Sequence, residues 1–180
     1  MTDIIYFDTD CVSAFLWVKE ENILTSLFPG KIALPQQVYN ELSHPGTPQL
    51  KTRFDRLVSN GDATICPILT ATPEYMLYIK LTNSPDVGHS IIGKGEASAL
   101  ALAVEAKGII ASNNLKDVAV YVLKFGLRHI TTGDILVKAL ESSLISESDG
   151  NNIWSAMLLK RRKLGTLTFS DYLKTHPIQN

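Results

Sequence analysis

Several protein classes are excluded by what the sequence lacks. It has only two cysteines, Cys11 and Cys66, without CxxC spacing, which argues against a zinc site or a disulfide framework and predicts reduced core thiols. The four histidines are scattered, and none has the i, i+4 partner of a zinc-binding helix. No GxSxG or Walker sequence occurs, so the motifs of α/β-hydrolases and P-loop NTPases are absent.

The sequence also lacks an excess of charge and a long apolar run. The 17 Lys and Arg balance 18 Asp and Glu, so bulk positive charge cannot attract nucleic acid, although a local groove still can. The most apolar stretch, residues 97–106, contains Glu105, which predicts no membrane span. The acidic start without a basic and apolar leader predicts no secretory signal and a cytoplasmic location.

What the sequence does contain is an alternation of short apolar runs with longer helical segments. With 45% hydrophobic residues in a chain of 180, it can bury one sizeable core. Strands separated by helices predict an α/β sandwich with a central, mostly parallel sheet flanked by helices. The predicted strands are residues 4–7, 31–34, 63–69, 109–111 and 128–130.

The C-terminal part departs from this alternation. Residues 146–152 (SESDGNN) are typical of a linker, which predicts a domain over residues 1–145 and a helical extension over 146–180, packed on or beside it. The extension carries the only basic cluster, residues 160–163 (KRRK). Such a run is either a solvated helix face or a contact for RNA phosphates or an acidic partner.

Two aspartates follow the first predicted strand. Asp8 comes directly after IIYF, at a carboxyl end, where open parallel sheets bind their ligands. It is either a ligand for a hard divalent cation or a cap of the following helix. Asp10 is favoured as the N-cap of a helix beginning at Cys11, with a second ligand role as the alternative.

Two glutamates occur on predicted helices. Glu41, in VYNEL, borders the buried stripe formed by Val38 and Leu42, a position usually occupied by a solvated surface residue. Glu96, in GKGEASALALA, lies in the first turn of a helix whose small residues permit close packing on the sheet. A glutamate there also suits the helix dipole without any further function.

A polar loop follows the fourth predicted strand. Its residues are SNNLKD, and the amides of Asn113 and Asn114 can orient a water or a phosphate. Asp117 either completes the acidic set or caps the helix that begins at Val118.

In this order, FDTD, VYNEL, GKGEASALALA and SNNLKD resemble the PIN-domain ribonucleases, in particular the VapC-like toxins of toxin–antitoxin pairs. The resemblance covers about residues 1–135. It implies a three-layer sandwich with an acidic cluster at one sheet edge that binds Mg²⁺ or Mn²⁺ and cleaves RNA. It further implies an antitoxin partner and a homodimer.

The resemblance assigns catalytic positions to Asp8, Glu41 and Glu96, with Asp117 as the nearest acid at the fourth position. Asp8, Glu96, Asp117 and Asn114 are the expected metal ligands. The departure is at the fourth position, where family members often carry an Asp directly after the strand and this chain has Asn113 and Asn114.

Two other functions stay open. The asparagine pair suits a catalytically silent PIN-like module that binds RNA or a protein without cutting. A phosphatase or phosphotransferase that uses Asp8 and Asp10 as a DxD pair would also need a downstream lysine, for which Lys116 is the only candidate.

Overall fold

The secondary structure follows the predicted alternation closely. A computed structural model describes residues 3–176, which form five strands and ten helices. The strands are β1 Ile5–Phe7, β2 Ile32–Pro35, β3 Ala63–Cys66, β4 Ile109–Ala111 and β5 Arg128–Ile130. The helices are α1 Thr9–Val18, α2 Glu21–Leu27, α3 Gln36–Leu42, α4 Pro48–Ser59, α5 Pro73–Asn83, α6 Lys94–Ala106, α7 Leu115–Phe125, α8 Thr132–Glu141, α9 Glu147–Leu159 and α10 Phe169–Thr175.

The five strands form one parallel sheet in the order β3-β2-β1-β4-β5. The chain builds outward from β1 on one side, through β2 and β3, and then returns to the other side of β1 with β4. The strand order therefore reverses between β1 and β4, and in such sheets a crevice opens beyond the carboxyl ends at that point. Asp8 and Ser112 are the first residues after these two strands.

Helices cover both faces of the sheet, which confirms the predicted three-layer α/β sandwich. Ile5 and Phe7 of β1 pack into one hydrophobic core with α1, α4, α8 and α9. Tyr6 points to the opposite face and packs into a second core with α5, α6 and α7. This alternation follows from the two-residue period of a strand, and the buried runs on both faces explain why β1 is uniformly apolar.

The helix α6 lies directly on the sheet because its side chains are small. Residues 97–103 are all buried and include four alanines and a serine. The Ser98 hydroxyl donates to the Gly95 carbonyl at 2.8 Å, so this buried polar group is satisfied. The close packing fixes the first turn of α6, and with it Glu96, beside the ends of β1 and β4.

The segment predicted as a linker is instead the beginning of α9. Ser146 caps this helix in a capping box with Asp149, so the polar residues that suggested a loop are a helix start. Trp154 is fully buried, and its indole nitrogen donates to the Thr166 carbonyl at 3.1 Å. Trp154 and Phe169 belong to the same core as α1, and residues 177–180 of the predicted extension lie outside the described residues.

Two further boundaries differ from the sequence prediction. The strand predicted over 63–69 ends at Cys66, because Pro67 has no N–H to continue the ladder. The basic cluster does not lie on a helix face, because α9 ends at Leu159 and residues 160–163 lie in the segment that follows it.

Candidate functional site

Asp8 serves two roles with its two carboxylate oxygens. It follows β1 and is the N-cap of α1, where Oδ1 accepts a hydrogen bond from the Cys11 N–H at 2.7 Å. The other oxygen, Oδ2, is buried and has no hydrogen-bond partner among residues 3–176. Capping and ligand binding, which the sequence presents as alternatives, are therefore compatible, since capping uses only one oxygen.

Asp10 is not the cap that the sequence favours. It is the second residue of α1, and its side chain is 51% exposed and lies 3.5 Å from Arg162 Nη1. The same guanidinium nitrogen donates to the Ser13 hydroxyl at 3.2 Å. Asp10 therefore pairs with the C-terminal segment while Asp8 is buried, and this placement does not support a DxD pair.

The buried position of Asp8 changes its acidity. Burial raises the pKa of Asp8 to about 7, and the nearby charges of Glu96 and Asp10 add to the rise. The nearby Ser112 hydroxyl and the hydrogen bond from the Cys11 amide act in the opposite direction and lower the pKa of Asp8. Because Oδ2 is buried without a hydrogen-bond partner among residues 3–176, a nearby cation would stabilise the anionic form of this carboxyl.

Glu96 and Asp117 are joined by one asparagine. The Asn114 side-chain amide donates to Asp117 Oδ2 at 2.7 Å and to Glu96 Oε1 at 3.3 Å. Asn114 is also the N-cap residue of α7, and Asp117 is the third residue of that helix. The alternative in which Asp117 caps the helix is therefore wrong, and its carboxylate is available on the same side as Glu96.

Asn113 has a different, structural role. Its amide donates to the Thr132 hydroxyl and its carbonyl oxygen accepts from the Thr132 N–H, both at 2.9 Å. These bonds join the loop after β4 to the first turn of α8. Both ends of the Asn113 side chain are thus engaged, and only Asn114 faces the acids.

Glu41 lies against the first turn of α6, beside Gly95. Its carboxylate accepts a hydrogen bond from the Thr9 hydroxyl. A Cβ on Gly95 would lie 3.1 Å from Glu41 Oε2 and 2.8 Å from the Thr9 hydroxyl, so only glycine leaves room for this pair. Glu41 and Glu96 therefore flank the same turn.

The donor atoms at this edge are the types that a hard divalent cation prefers. Among residues 3–176, no three Asp, Glu, His or Cys side chains converge closely enough to hold a metal ion as they stand. The carboxylates of Glu96 and Asp117 instead hold the Asn114 amide, whose N–H groups carry partial positive charge. Oxygen ligands and the orphaned Oδ2 of Asp8 nevertheless fit Mg²⁺ or Mn²⁺.

Sequence reasoning did not single out Thr9 or Ser112. Thr9 lies inside the FDTD motif and holds Glu41. The Ser112 hydroxyl is buried and accepts from the Asn114 N–H at 3.1 Å, which fixes the loop. The only signal for either residue was its position at a strand end, since nothing local identifies its partner.

Comparisons with known proteins add no assignment. A scan against protein-family models found no match to this chain, and a search of curated proteins found no similar sequence. In residues 3–176, no helix is both long enough and apolar enough to cross a membrane. Function is therefore inferred from the side chains themselves.

Proposed function

We propose that this protein is a divalent-metal-dependent endoribonuclease of the PIN class. The observation that carries the proposal is the orphaned, buried Oδ2 of Asp8 at the switch point of the sheet. A buried carboxylate oxygen without a donor is costly unless a cation or a proton satisfies it. Glu96, Asn114 and Asp117 lie at the ends of the neighbouring elements and supply further oxygens.

Each side chain has a distinct role in this proposal. A bound Mg²⁺ or Mn²⁺ supplies charge that stabilises the attacked phosphate and lowers the pKa of an attacking water. Asp8 and Glu96 would hold the ion, and Asp117 with the carbonyl oxygen of Asn114 would complete its oxygen ligands. This would require Asn114 to release the two carboxylates that its amide now holds. Glu41, oriented by Thr9 beside the α6 turn, would accept a proton from water.

A nuclease assay on the purified protein tests the proposal. We expect cleavage of single-stranded RNA with Mn²⁺ or Mg²⁺ and none with EDTA. Asp8→Asn should abolish cleavage and keep the fold, because Asn caps helices about as well as Asp but lacks the charge. Cleavage that persists in EDTA would contradict the metal mechanism.

Asp62→Asn is the matched control for this assay. Asp62 precedes β3, so it lies at the amino edge of the parallel sheet, away from the candidate site. The substitution removes the same charge, and cleavage should stay at the level of the parent protein. Equal loss of cleavage in Asp62→Asn and Asp8→Asn would remove Asp8 from the site.

We further propose that the protein is the toxin of a toxin–antitoxin pair, acting in the cytoplasm as a homodimer. The support is the resemblance in the four motifs. Expression of the parent protein should arrest bacterial growth, and expression of Asp8→Asn at the same level should not. Equal growth of the two cultures would contradict the toxin proposal.

The second candidate is a catalytically silent module that binds RNA or a protein. One observation favours it: the Asn114 amide already satisfies both Glu96 and Asp117, as a metal ion otherwise would. Calorimetry with Mn²⁺ separates the two candidates. Heat of binding that Asp8→Asn abolishes supports the nuclease, and no measurable binding supports the silent module.

A further inference from the structure

A second concave surface lies beside the acidic site. It is a cavity of about 550 Å³ between the loop after β4, the end of β5, the start of α8 and the C-terminal segment. We name it the tail groove and define it by Asn113, His129, Lys163, Tyr172 and His176, which line it. Its volume is within the range of small-molecule and nucleotide sites.

The loop after β4 lies between the tail groove and the acidic site and contributes one residue to each. Asn113 lines the groove, and the next residue, Asn114, bonds Glu96 and Asp117. Neighbouring residues of an extended chain are about 3.8 Å apart at their Cα atoms. A strand of RNA with a phosphate at the acids can therefore extend past this loop into the groove.

The walls of the groove offer an aromatic surface held in place. The rings of Tyr172 and His176 are stacked, with centroids 4.0 Å apart and planes within 2° of parallel. The Tyr172 hydroxyl donates to Asp134 Oδ1 at 2.8 Å, which fixes that ring. Tyr172 itself is buried, so the exposed His176 ring, held flat against it, is the surface on which a nucleobase can stack.

The groove also offers polar groups and a positive charge. His129 Nε2 lies 2.8 Å from the Ser112 carbonyl, which only accepts, so Nε2 carries the proton and the ring orientation is fixed. Lys163 is exposed and makes no ion pair among residues 3–176. The one carboxylate in the lining, Asp134, already accepts from Thr131 and Tyr172.

We propose that the tail groove binds one nucleotide of the RNA strand next to the phosphate at the acidic site, with its base on the His176 ring and a phosphate beside Lys163. This proposal rests on the proposed ribonuclease function and makes the C-terminal extension part of the substrate site. Within the basic cluster, Lys163 would then contact the RNA, whereas Arg162 pairs with Asp10.

Binding in EDTA tests the groove without cleavage. The probe is a fluorescent ten-nucleotide single-stranded RNA, and the readout is anisotropy across a series of salt concentrations. His176→Ala should lower the affinity about ten-fold, and His176→Phe should retain it because a phenyl ring also stacks. Lys163→Ala should weaken binding and reduce the slope of log K against log salt by about 0.7, whereas Lys138→Ala, on α8 outside the groove, should leave the slope unchanged.

The possible outcomes distinguish failure of the groove proposal from failure of the nuclease proposal. Affinities for RNA that are equal in the parent, His176→Ala and Lys163→Ala would overturn the groove proposal, while cleavage in Mn²⁺ would still support the nuclease. Equal losses in His176→Ala and His176→Phe would overturn the stacking assignment. Binding of a free nucleoside monophosphate without binding of the oligonucleotide would assign the site to a free nucleotide and overturn its place on a strand.

Discussion

The side-chain amide of Asn114 donates a 2.7 Å hydrogen bond to Asp117, three residues further along α7. The same amide reaches Glu96, eighteen residues earlier in the chain, at 3.3 Å. An amide N–H thus lies where two carboxylates would otherwise repel each other. This arrangement stabilises the acidic edge of the sheet, and under the proposed function it makes residue 114 a determinant of metal affinity.

Asn114→Asp should tighten Mn²⁺ binding and lower the thermal stability of the metal-free protein. The new carboxylate adds a ligand charge and replaces the donor that now separates Glu96 and Asp117. Affinity for hard cations rises with ligand charge, and we expect an increase of about ten-fold. Calorimetry and thermal unfolding in EDTA measure the two effects.

Asn113→Asp is the matched control for that variant. It adds the same charge one residue away, where the side chain faces Thr132 rather than the acids. Mn²⁺ affinity should change little. Equal tightening in both variants would show that general charge, and not a ligand at position 114, governs the affinity.

Asp117→Asn should weaken Mn²⁺ binding while α7 keeps its stability. The helix begins at the Asn114 cap, so loss of the Asp117 charge does not remove the cap. A Mn²⁺ titration together with thermal unfolding in EDTA checks both parts. If Asp117→Asn binds Mn²⁺ and cleaves RNA like the parent protein, Asp117 is not a ligand and the site reduces to Asp8 and Glu96.

The stability of the metal-free protein should fall as the pH rises from about 4 to 7. Asp8 keeps its proton in the fold up to about pH 7 but loses it near pH 3.8 in the unfolded chain, so folding takes up a proton in this window. The loss is on the order of 4 kcal/mol at most, at 1.36 kcal/mol for each unit of pKa. Unfolding by urea at several pH values measures it.

Asp8→Asn should remove this dependence, because its side chain does not titrate. Its free energy of unfolding should approach or exceed that of the parent protein above pH 7. The difference between the two proteins is the relevant measurement, since every other carboxyl titrates in both. Parallel curves for the two proteins from pH 4 to 7 would contradict the raised pKa of Asp8.

Gly133→Ala should lower the free energy of unfolding by about 1–3 kcal/mol. A Cβ at position 133 would collide with the Tyr172 ring, whose hydroxyl is held by Asp134 at 2.8 Å and by Thr131 at 2.9 Å. Gly46→Ala is the control, because its Cβ would meet only the exposed His44 ring. Equal stabilities for the two variants would show that the C-terminal segment is not packed tightly on α8.

The sequence by itself determined the layered fold and the edge at which the site lies. Uniformly apolar runs such as IIYF predict the strands, because a parallel strand is buried on both faces. The helices between them follow from local periodicity. The sequence also predicts that Asp8 and the loop after β4 lie close together, since the carboxyl ends of parallel strands share one edge of the sheet. The linker predicted over residues 146–152 is wrong, because the same polar residues form the capping box that begins α9.

Only the tertiary structure decided what each polar side chain at that edge contacts. Asp8 and Asp10 are two residues apart, yet one is buried and the other pairs with Arg162, 152 residues away. Likewise, Asn113 bonds Thr132 and Asn114 bonds Glu96, although the two side chains are chemically identical. These partners are distant in sequence and come together only when the layers pack, so no local pattern encodes them.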